Sequence, residues 1–259
     1  MDAERDFVEE GGAMLSVEPT RAVAPSTAIV PDPSPAPRPE RLSHEGRYAL
    51  VEPLDPDTHA AALYAASHGD PERERIWEYL PYGPFASEGE FRAHLTAQAA
   101  GEDPLFFAIR PRASDRVAGV ASLMSIEPDH RSIEIGHIWL GPGLQRTPAA
   151  TEALFLLIAH ALDDLGYRRM EWKCNAANAA SRAAARRLGF IHEGVFYQHR
   201  IMKGMNRDTA WFSILDHEWP ALRANFETWL DSANFTEGGQ QRQSLGDLNR
   251  ALTVARVGG

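Results

Sequence analysis

The sequence predicts a mixed α/β protein in which several strands precede the main helix, instead of alternating regularly with helices. Three observations support this class. Apolar runs at 105–109, 117–124 and 132–140 are separated by polar turns, and the first two form a hairpin. An apolar helix follows at Pro148. Strands then flank a second helix near residues 178–188.

The individual elements follow from their own start and stop signals. Residues 48–51 form a short strand, and residues 55–67 a helix with Asp55 or Asp57 near its N-cap. The helix that Pro148 opens is expected to end at Leu165, because Gly166 suits a C-cap. The remaining predicted elements are a strand at 168–174, a helix at 178–188 capped by Gly189, a strand through Phe196 and a strand at 209–215.

One ordered domain is expected between two flexible ends. Residues 1–40 hold seven of the 18 prolines, and the alternating run from Pro31 to Pro37 lacks the backbone donors that helices and sheets need. This segment is predicted to be a disordered or polyproline-like arm. Residues 232–259 are polar and rich in Gly and Gln, which predicts a flexible tail. The domain is therefore assigned to residues 41–231.

Composition excludes several classes of protein. The single cysteine, Cys174, cannot form an internal disulfide, and the N-terminus lacks a signal-peptide pattern, so a cytoplasmic location is expected. No apolar run approaches the ~20 residues of a membrane span. The net charge of −10 argues against nucleic acid and mildly favours amines as partners, although residues 1–40 carry eight acidic residues against three arginines.

The loop between the strand at 132–140 and the helix at Pro148 is a candidate anion site. Backbone N–H groups at a helix N-terminus attract anions, and the small residues Ala149, Ala150 and Thr151 allow a close approach. The loop could hold a pyrophosphate, although small residues at a helix start are also ordinary packing.

A second motif gives the loop a family context. Residues 175–181 read Asn-Ala-Ala-Asn-Ala-Ala-Ser, and residues 188–194 read Leu-Gly-Phe-Ile-His-Glu-Gly. Together with the loop and helix start at 145–153, they resemble the GNAT superfamily of acetyl-CoA-dependent N-acetyltransferases. The resemblance spans about residues 46–220 and is strongest to the Rim-type branch, which acetylates the N-termini of ribosomal proteins.

The resemblance implies the GNAT fold, a central and mostly antiparallel sheet that is splayed at the cofactor site and flanked by helices. It also implies acetyl-CoA as co-substrate, with the pantetheine arm along the main chain of one strand. The pyrophosphate loop departs from the family pattern, because Pro148 stands where a glycine is usual. The implied cofactor contacts are Ile138, Trp139, Leu140, Gln145, Arg146, Thr147, Ala149, Ala150, Thr151, Asn178 and Ser181.

Two residues are assigned to catalysis. Many family members carry a Tyr acid where this chain has Ala185, so Ser181 is expected to donate a hydrogen bond to the leaving sulfur, as in Rim-type members. Glu134 lies on the strand eleven residues before Gln145, where the superfamily often places the base. Strand alternation predicts that Glu134 shares a face with Gly136 and Ile138, and that His137 points away.

Alternatives remain for these roles. Glu134 could be an ion-paired strand residue, and Ser181 a helix residue bonded to its own backbone. His137 could be the base, although a packed histidine is more common. Cys174 could form an acetyl-enzyme, but no partner that would activate it is evident in the sequence. No metal is expected, because the histidines lack metal-ligand spacing.

The acceptor groove is expected to lie along the aromatic, proline-broken segment at 75–85. Trp77, Tyr82 and Phe85 would border it, with Tyr197 and the loop at 203–207 as the opposite wall. These aromatic residues could instead cover the core.

The sequence thus predicts direct acetyl transfer from acetyl-CoA to a primary amine, on a protein N-terminus or a small molecule, by a monomer or homodimer. One alternative is a non-catalytic acyl-CoA-binding module, which Pro148 and Ala185 support. The other is an unrelated α/β domain.

Overall fold

One eight-stranded sheet organises residues 26–257, the part of the chain that this computed structural model describes. The strands pair in the order β1-β2-β3-β4-β5-β6-β8-β7, and every pair is antiparallel except β5 with β6. Their bounds are β1 His44–Glu45, β2 Ala49–Pro53, β3 Leu105–Pro111, β4 Gly119–Glu127, β5 Ser132–Leu140, β6 Arg169–Asn175, β7 Ile191–Met202 and β8 Met205–Leu215.

Helices pack on both faces of this sheet. The helices are α1 Pro56–Ser67, α2 Pro71–Glu74, α3 Glu88–Ala100, α4 Pro148–Ala159, α5 Ala179–Arg187, α6 Trp219–Leu230 and α7 Leu245–Val257. A π-helical turn, His160–Asp164, extends α4. Short 3₁₀ turns lie at Arg75–Trp77, Pro128–His130, Asp216–Glu218 and Ser232–Asn234.

The two faces carry separate cores, because successive residues of a strand point to opposite sides. Phe106 packs with Leu63 and Phe91 on the side that α1 and α3 cover, which we call the first face. Phe107 packs with Leu157 and Phe226 on the side that α4 to α7 cover, the second face. Among the described residues, the first-face core includes none from β6, β7 or β8.

The sheet opens between its two parallel strands. The ladder of β5 and β6 joins only Ser132–Glu134 to Arg169–Glu171. Beyond it, β6 stays paired with β8 along its whole length, and β5 stays paired with β4 as far as Leu140. The facing edges of β5 and β6 therefore diverge at Glu134 and leave main-chain groups available inside the sheet.

The predicted class and many element ends are confirmed. Asp55 caps α1 by accepting the N–H of Asp57, and β5 has the predicted bounds. Gly166 and Gly189 follow their helices with φ of +68° and +94°, the left-handed conformation that favours glycine at a helix end. The sheet is mixed and mostly antiparallel with helices on both faces, as the resemblance implied.

The expected flexible tail at 232–259 is wrong for most of its length. A 3₁₀ turn, a bridge between Phe235 and Gln241, and α7 fill this segment as far as Val257. Leu245 is fully buried against the second-face core. The polar stretch at 236–244 misled, because α7 beyond it packs Leu245, Leu248 and Leu252 on the second-face core and tertiary contacts hold the segment in place.

The N-terminal arm needs a smaller correction. Residues 1–25 lie outside the described residues. Residues 26–40 contain no helix or strand, as expected, but they contact the domain. Ala36 is buried and donates its N–H to Pro128, and Asp32 forms an ion pair with Arg131. The boundary at residue 41 therefore lies inside a segment that already packs on the body.

Candidate active site

A β-bulge in β5 shapes the sheet where the strands diverge. Val120 of β4 pairs with Trp139 and Ser122 pairs with Gly136, so β5 has one extra residue between these pairs. His137 takes it up with a left-handed φ of +49°. A bulge re-aims the side chains that follow it. The predicted alternation is therefore wrong beyond Gly136: His137 contacts Phe106 on the first face, and Ile138 packs on the second-face core.

Glu134 lies at the point of divergence and is buried, with 5% of its surface exposed. Lys173 Nζ on β6 is 3.0 Å from Glu134 Oε2 and 2.8 Å from Glu171 Oε2. Ser125, at a bulge in β4 with φ of +48°, donates its hydroxyl to Glu134 Oε2 at 3.0 Å. The glutamate is thus both ion-paired and desolvated.

These surroundings act on the glutamate in opposite directions. Burial raises the pKa of Glu134, while the charge and hydrogen bond of Lys173 and the Ser125 hydroxyl oppose the rise. Burial alone would lower the pKa of Lys173, but Glu134 and Glu171 raise it above its ordinary value. Lys173 therefore stays an ammonium, and Glu134 is a carboxylate whose pKa is displaced toward the range that suits a general base.

His137 has the properties of a packed histidine. Its Nδ1 lies 2.9 Å from the Tyr82 hydroxyl, and the two rings are stacked at 5.6 Å. Burial, helped by the charges of His94 and Arg207, lowers the pKa of His137 to about 4. The imidazole is neutral at pH 7 and too weakly basic to compete well for a proton. This environment favours Glu134 over His137 as the base.

The loop after β5 leaves several backbone donors available. Thr147 caps α4, since its hydroxyl accepts the Ala150 N–H and donates to Leu144. Pro148 at the first helical position has no N–H to offer. The loop N–H groups without an acceptor among the described residues are those of Gly143, Arg146, Thr147 and Ala149.

The side chains of this loop are more occupied than the sequence suggested. Gln145 donates its amide to the Leu140 carbonyl at 2.9 Å. Thr151 is buried and accepts a hydrogen bond from Arg187 of α5 at 3.0 Å. Arg146 remains exposed. Backbone N–H groups and Arg146 are therefore the groups in this loop that remain able to bind an anion.

A cleft of about 1050 Å³ adjoins the loop on the side of α1 and the β3–β4 turn. Four arginines line it, together with Asp70 and Glu72. Arg73 pairs with Asp70, and Arg112 with Glu45, which reduces their net effect. Arg47 and Arg116 therefore give this cleft a positive charge that can attract an anion, although the protein as a whole is acidic.

Ser181 is oriented by an indole. Trp172 of β6 donates its Nε1–H to Ser181 Oγ at 3.0 Å, and this acceptor role leaves the serine hydroxyl proton able to donate elsewhere. Asn178 caps α5 by accepting the Ser181 N–H at 3.0 Å, so its side-chain carbonyl has a structural role. Its amide NH₂ has no acceptor among the described residues and remains the group that could meet a ligand.

The expected aromatic border of the groove divides into two groups. Trp77 is 1% exposed, lies in the first-face core and donates its indole N–H to Ser67. Its assignment as a substrate contact is therefore wrong in this conformation, because the large ring is needed for packing. Phe85 is half-buried against Trp77. Tyr82 is the member that reaches the bulge, through His137.

The two expected walls touch each other. Lys203, at the tip of the β7–β8 hairpin, donates from Nζ to the carbonyls of Trp77 and Gly83, both at 2.7 Å. Tyr197 lies on β7, six residues before Lys203 and away from the hairpin tip, and is 78% exposed. The hairpin thus closes one end of a surface that begins at Glu134.

No helix of the described residues forms a core over the first face of β6, β8 and β7, although Thr209 and Ser213 on that face are themselves buried. Lys173 lies 4.2 Å over the Trp211 ring, and Phe196, which is 53% exposed, packs on the same ring at 4.8 Å. His199 Nδ1 lies 3.0 Å from the Thr209 hydroxyl. An aromatic and polar platform therefore extends from Glu134 to the edge of the sheet.

Sequence reasoning missed the role of Lys173, Trp172 and Trp211 at this site. One signal was available, because β6 alternates charged residues (Arg169, Glu171 and Lys173) with apolar ones. That pattern predicts a strand with one polar face next to Glu134. The bulge had no comparable signal, because histidine, although more common at positive φ than most residues, is still found there only rarely.

Two further findings concern the described residues. Within residues 26–257, no three His, Cys, Asp or Glu side chains lie close enough together to hold a metal ion. No helix in the same range has the length and apolar character needed to cross a membrane.

Comparisons with known proteins agree with this geometry. The solved structure of a GCN5-related N-acetyltransferase from Brucella melitensis is 47% identical, with a TM-score of 0.82, and the match covers 84% of this chain and 98% of that chain. A Bacillus subtilis protein provisionally named a ribosomal N-acetyltransferase is 30% identical over 103 residues. The ribosomal-protein-serine acetyltransferase of Escherichia coli is 33% identical over 105 residues.

The matches to the two curated relatives are partial. Each covers 40% of this chain, and they cover 56% and 58% of the relatives' own lengths, which is less than two thirds. The family model described as an acetyltransferase (GNAT) domain matches residues 49–191, more than half of the chain. The chain therefore belongs to the GNAT acetyltransferase family.

Proposed function

We propose that this protein transfers the acetyl group of acetyl-CoA directly to a primary amine, with the α-amine of a protein N-terminus as the first candidate. The observation that carries the proposal is the divergence of β5 from β6 at a buried glutamate. Family membership supports the reaction class, and the names of the curated relatives support the acceptor.

The open edge of β5 suits the pantetheine arm. Strand edges bind extended ligands through main-chain hydrogen bonds. Beyond Glu134, the edge of β5 that faces β6 has no ladder partner among the described residues, and it includes Ile138, Trp139 and Leu140. An arm that carries amide groups can add to this edge as a short strand would.

The loop suits the pyrophosphate. The N–H groups of Arg146, Thr147 and Ala149 lie at the start of α4, where the helix dipole favours negative charge. Pro148 contributes no donor, so the neighbouring N–H groups and the Arg146 side chain would hold the phosphates. Gln145 and Thr151 support the loop through the contacts already described.

The residues around the divergence can supply the proton transfers. Glu134 would take a proton from the acceptor ammonium through water, which frees the nitrogen lone pair. The backbone N–H of Ile138, the residue after the bulge at His137, would polarise the thioester carbonyl as the nitrogen bonds to its carbon. The nitrogen loses a second proton as the carbon–sulfur bond breaks, and this proton passes through water to the departing thiolate, to which Ser181 donates a hydrogen bond. The products are an N-acetyl amide and coenzyme A.

The first face of β6, β8 and β7 supports a peptide acceptor. The platform around Trp211 leads to Glu134 from the sheet edge, and no helix within residues 26–257 forms a core over it, so an extended chain can lie across it. A cytoplasmic location fits such an acceptor and the buried thiol of Cys174.

Thiol release tests the proposal. Acetyl-CoA and a panel of N-terminal peptides and small amines would be incubated with the protein while free thiol is measured. We expect release with at least one acceptor, and a lower rate for Ser181→Ala with unchanged acetyl-CoA affinity. Acetyl-CoA binding by calorimetry with no release for any amine would contradict the proposal.

A further inference from the structure

Arg207 is a cation on the first face that has no carboxylate partner among residues 26–257. Its Nη1 donates to the sulfur of Met202 at 2.9 Å, and sulfur is a weak acceptor. Its Nε is buried and has no hydrogen-bond partner among the described residues. A buried guanidinium donor without an acceptor costs free energy, which a bound anion would recover.

The neighbouring cations of this face differ from Arg207 in this respect. Arg169 contacts Glu171 at 2.7 Å and Glu193 at 2.6 Å. Lys173 contacts Glu134 and Glu171. Arg207 alone of the three lacks an anion among the described residues, although it is half-buried like the others.

The pairing of β7 with β8 adds a second unfavourable interaction for the charge of Arg207. Arg207 of β8 lies directly opposite Arg200 of β7. Like charges at directly opposed positions destabilise a strand pair. Arg200 is exposed and can extend into solvent, whereas Arg207 keeps its guanidinium beside the sheet. An anion bound at Arg207 would relieve the repulsion.

Arg207 also lies near the divergence of the strands, because it is four residues before Trp211, which pairs with Lys173, the ion-pair partner of Glu134. Burial lowers the pKa of Arg207, and the negative charge of Glu134 opposes this. The charge of Arg207 in turn contributes to the low pKa of His137. The guanidinium is therefore within electrostatic reach of the candidate base, and it belongs to the loop at 203–207 that is expected to form one wall of the acceptor groove.

We propose that Arg207 binds a carboxylate of the acceptor, so that the preferred substrates are amines that carry a carboxylate a few bonds from the nitrogen. The inference rests on the proposed function and adds the chemical class of the acceptor. A guanidinium fits a carboxylate with two parallel hydrogen bonds, and burial strengthens the pair. The carboxylate can belong to an acidic side chain near a peptide N-terminus or to a free amino acid.

Two matched acceptor pairs test this inference and separate the two sources. One pair is a C-terminally amidated peptide with Asp at its second position and the same peptide with Asn. The other pair is alanine and alaninamide. Affinity would be measured by calorimetry with coenzyme A present, and kcat/KM by thiol release. We expect the carboxylate member of at least one pair to be favoured by about tenfold or more in both measurements.

Variants assign the preference to Arg207. Arg207→Gln should reduce the preference to near unity, and Arg207→Lys should keep part of it, because a lysine retains the charge without the fork. Arg200→Gln removes the same net charge from the opposite position and should keep the preference. Acetyl-CoA affinity and urea unfolding would show that each variant is folded.

Two results would overturn the inference. One is equal affinity for both members of each pair in the unaltered protein. The other is a preference that survives Arg207→Gln or that Arg200→Gln abolishes equally. Absence of thiol release from every acceptor would instead contradict the proposed function, and the calorimetric comparison would still report on Arg207.

Discussion

At the scale of single residues, Glu134 depends on a balance between burial and charge. Burial raises its pKa, and the ammonium of Lys173 at 3.0 Å limits the rise. Glu171 binds the same ammonium and adds a negative charge nearby. Glu134 can therefore be ion-paired and still act as a base. The ion pair limits the rise of the pKa of Glu134, and the proton reaches the carboxylate through water.

The pH profile of the reaction should report this balance. A base works when it is unprotonated, so activity falls as pH drops through the pKa of Glu134. Lys173→Met removes the charge that lowers this pKa. The fall of kcat/KM on the acid side of its pH profile, the acid limb, should therefore move to higher pH.

The neighbouring acid gives a matched control for that prediction. Glu171 raises the pKa of Glu134, so Glu171→Gln should move the acid limb to lower pH. Opposite shifts in the two variants would assign the limb to Glu134. An acid limb that moves in the same direction in both variants, or in neither, would contradict the account.

At the scale of elements, Lys203 connects the β7–β8 hairpin to the opposite wall of the platform. It donates to two carbonyls of the segment at 75–85, whereas Ile201 and Met205 beside it at the hairpin tip are 84% and 63% exposed. The hairpin and the segment that carries Tyr82 therefore move together as long as Lys203 bridges them.

Removing the bridge should loosen both elements. For Lys203→Met we expect faster hydrogen exchange in residues 75–85 and at the hairpin tip, and a raised KM for the acceptor. Asn206→Ala is the control, because Asn206 bonds to Asp208 within the hairpin and does not cross to the other wall. Equal protection from hydrogen exchange in Lys203→Met and in the unaltered protein would show that other contacts hold the hairpin.

The elements show which parts of the fold are readable from sequence. Strands β3 to β6 and helix α4 were predictable, because continuous apolar runs and clear end signals mark them. Helix α3 was not, because it buries only Phe91 and Leu95 and has little amphipathic pattern. The resemblance to the family proposed Glu134 and Ser181, whereas the bulge at His137 and the charge partner of Glu134 depend on pairing between strands.

At the scale of the whole molecule, the C-terminal segment supports the cofactor side of the domain. Asn249 of α7 donates to the Arg187 carbonyl at the end of α5. Arg187 in turn donates to Thr151 in the first turns of α4, and its guanidinium lies over the Trp229 ring. A chain of contacts therefore links α7 to the helix whose start carries the anion-binding loop.

This link predicts a stability effect for a residue far from the chemistry. Leu245→Ala should lower the free energy of unfolding by about 2–4 kcal/mol, because the side chain is fully buried. Urea denaturation measures the change. Leu42→Ala, at a position 49% exposed, should cost less than about 1 kcal/mol. Equal effects would mean that α7 does not pack as described.

The most direct test of the central claim is the turnover of Glu134→Gln at pH 7, measured as thiol release beside acetyl-CoA affinity. If Glu134 is the base, kcat should fall by about 100-fold or more while affinity for acetyl-CoA stays close to that of the unaltered protein. Glu171→Gln, which disturbs the same ion pair, should keep most of the turnover. A kcat for Glu134→Gln close to that of the unaltered protein would place the base elsewhere and contradict the account.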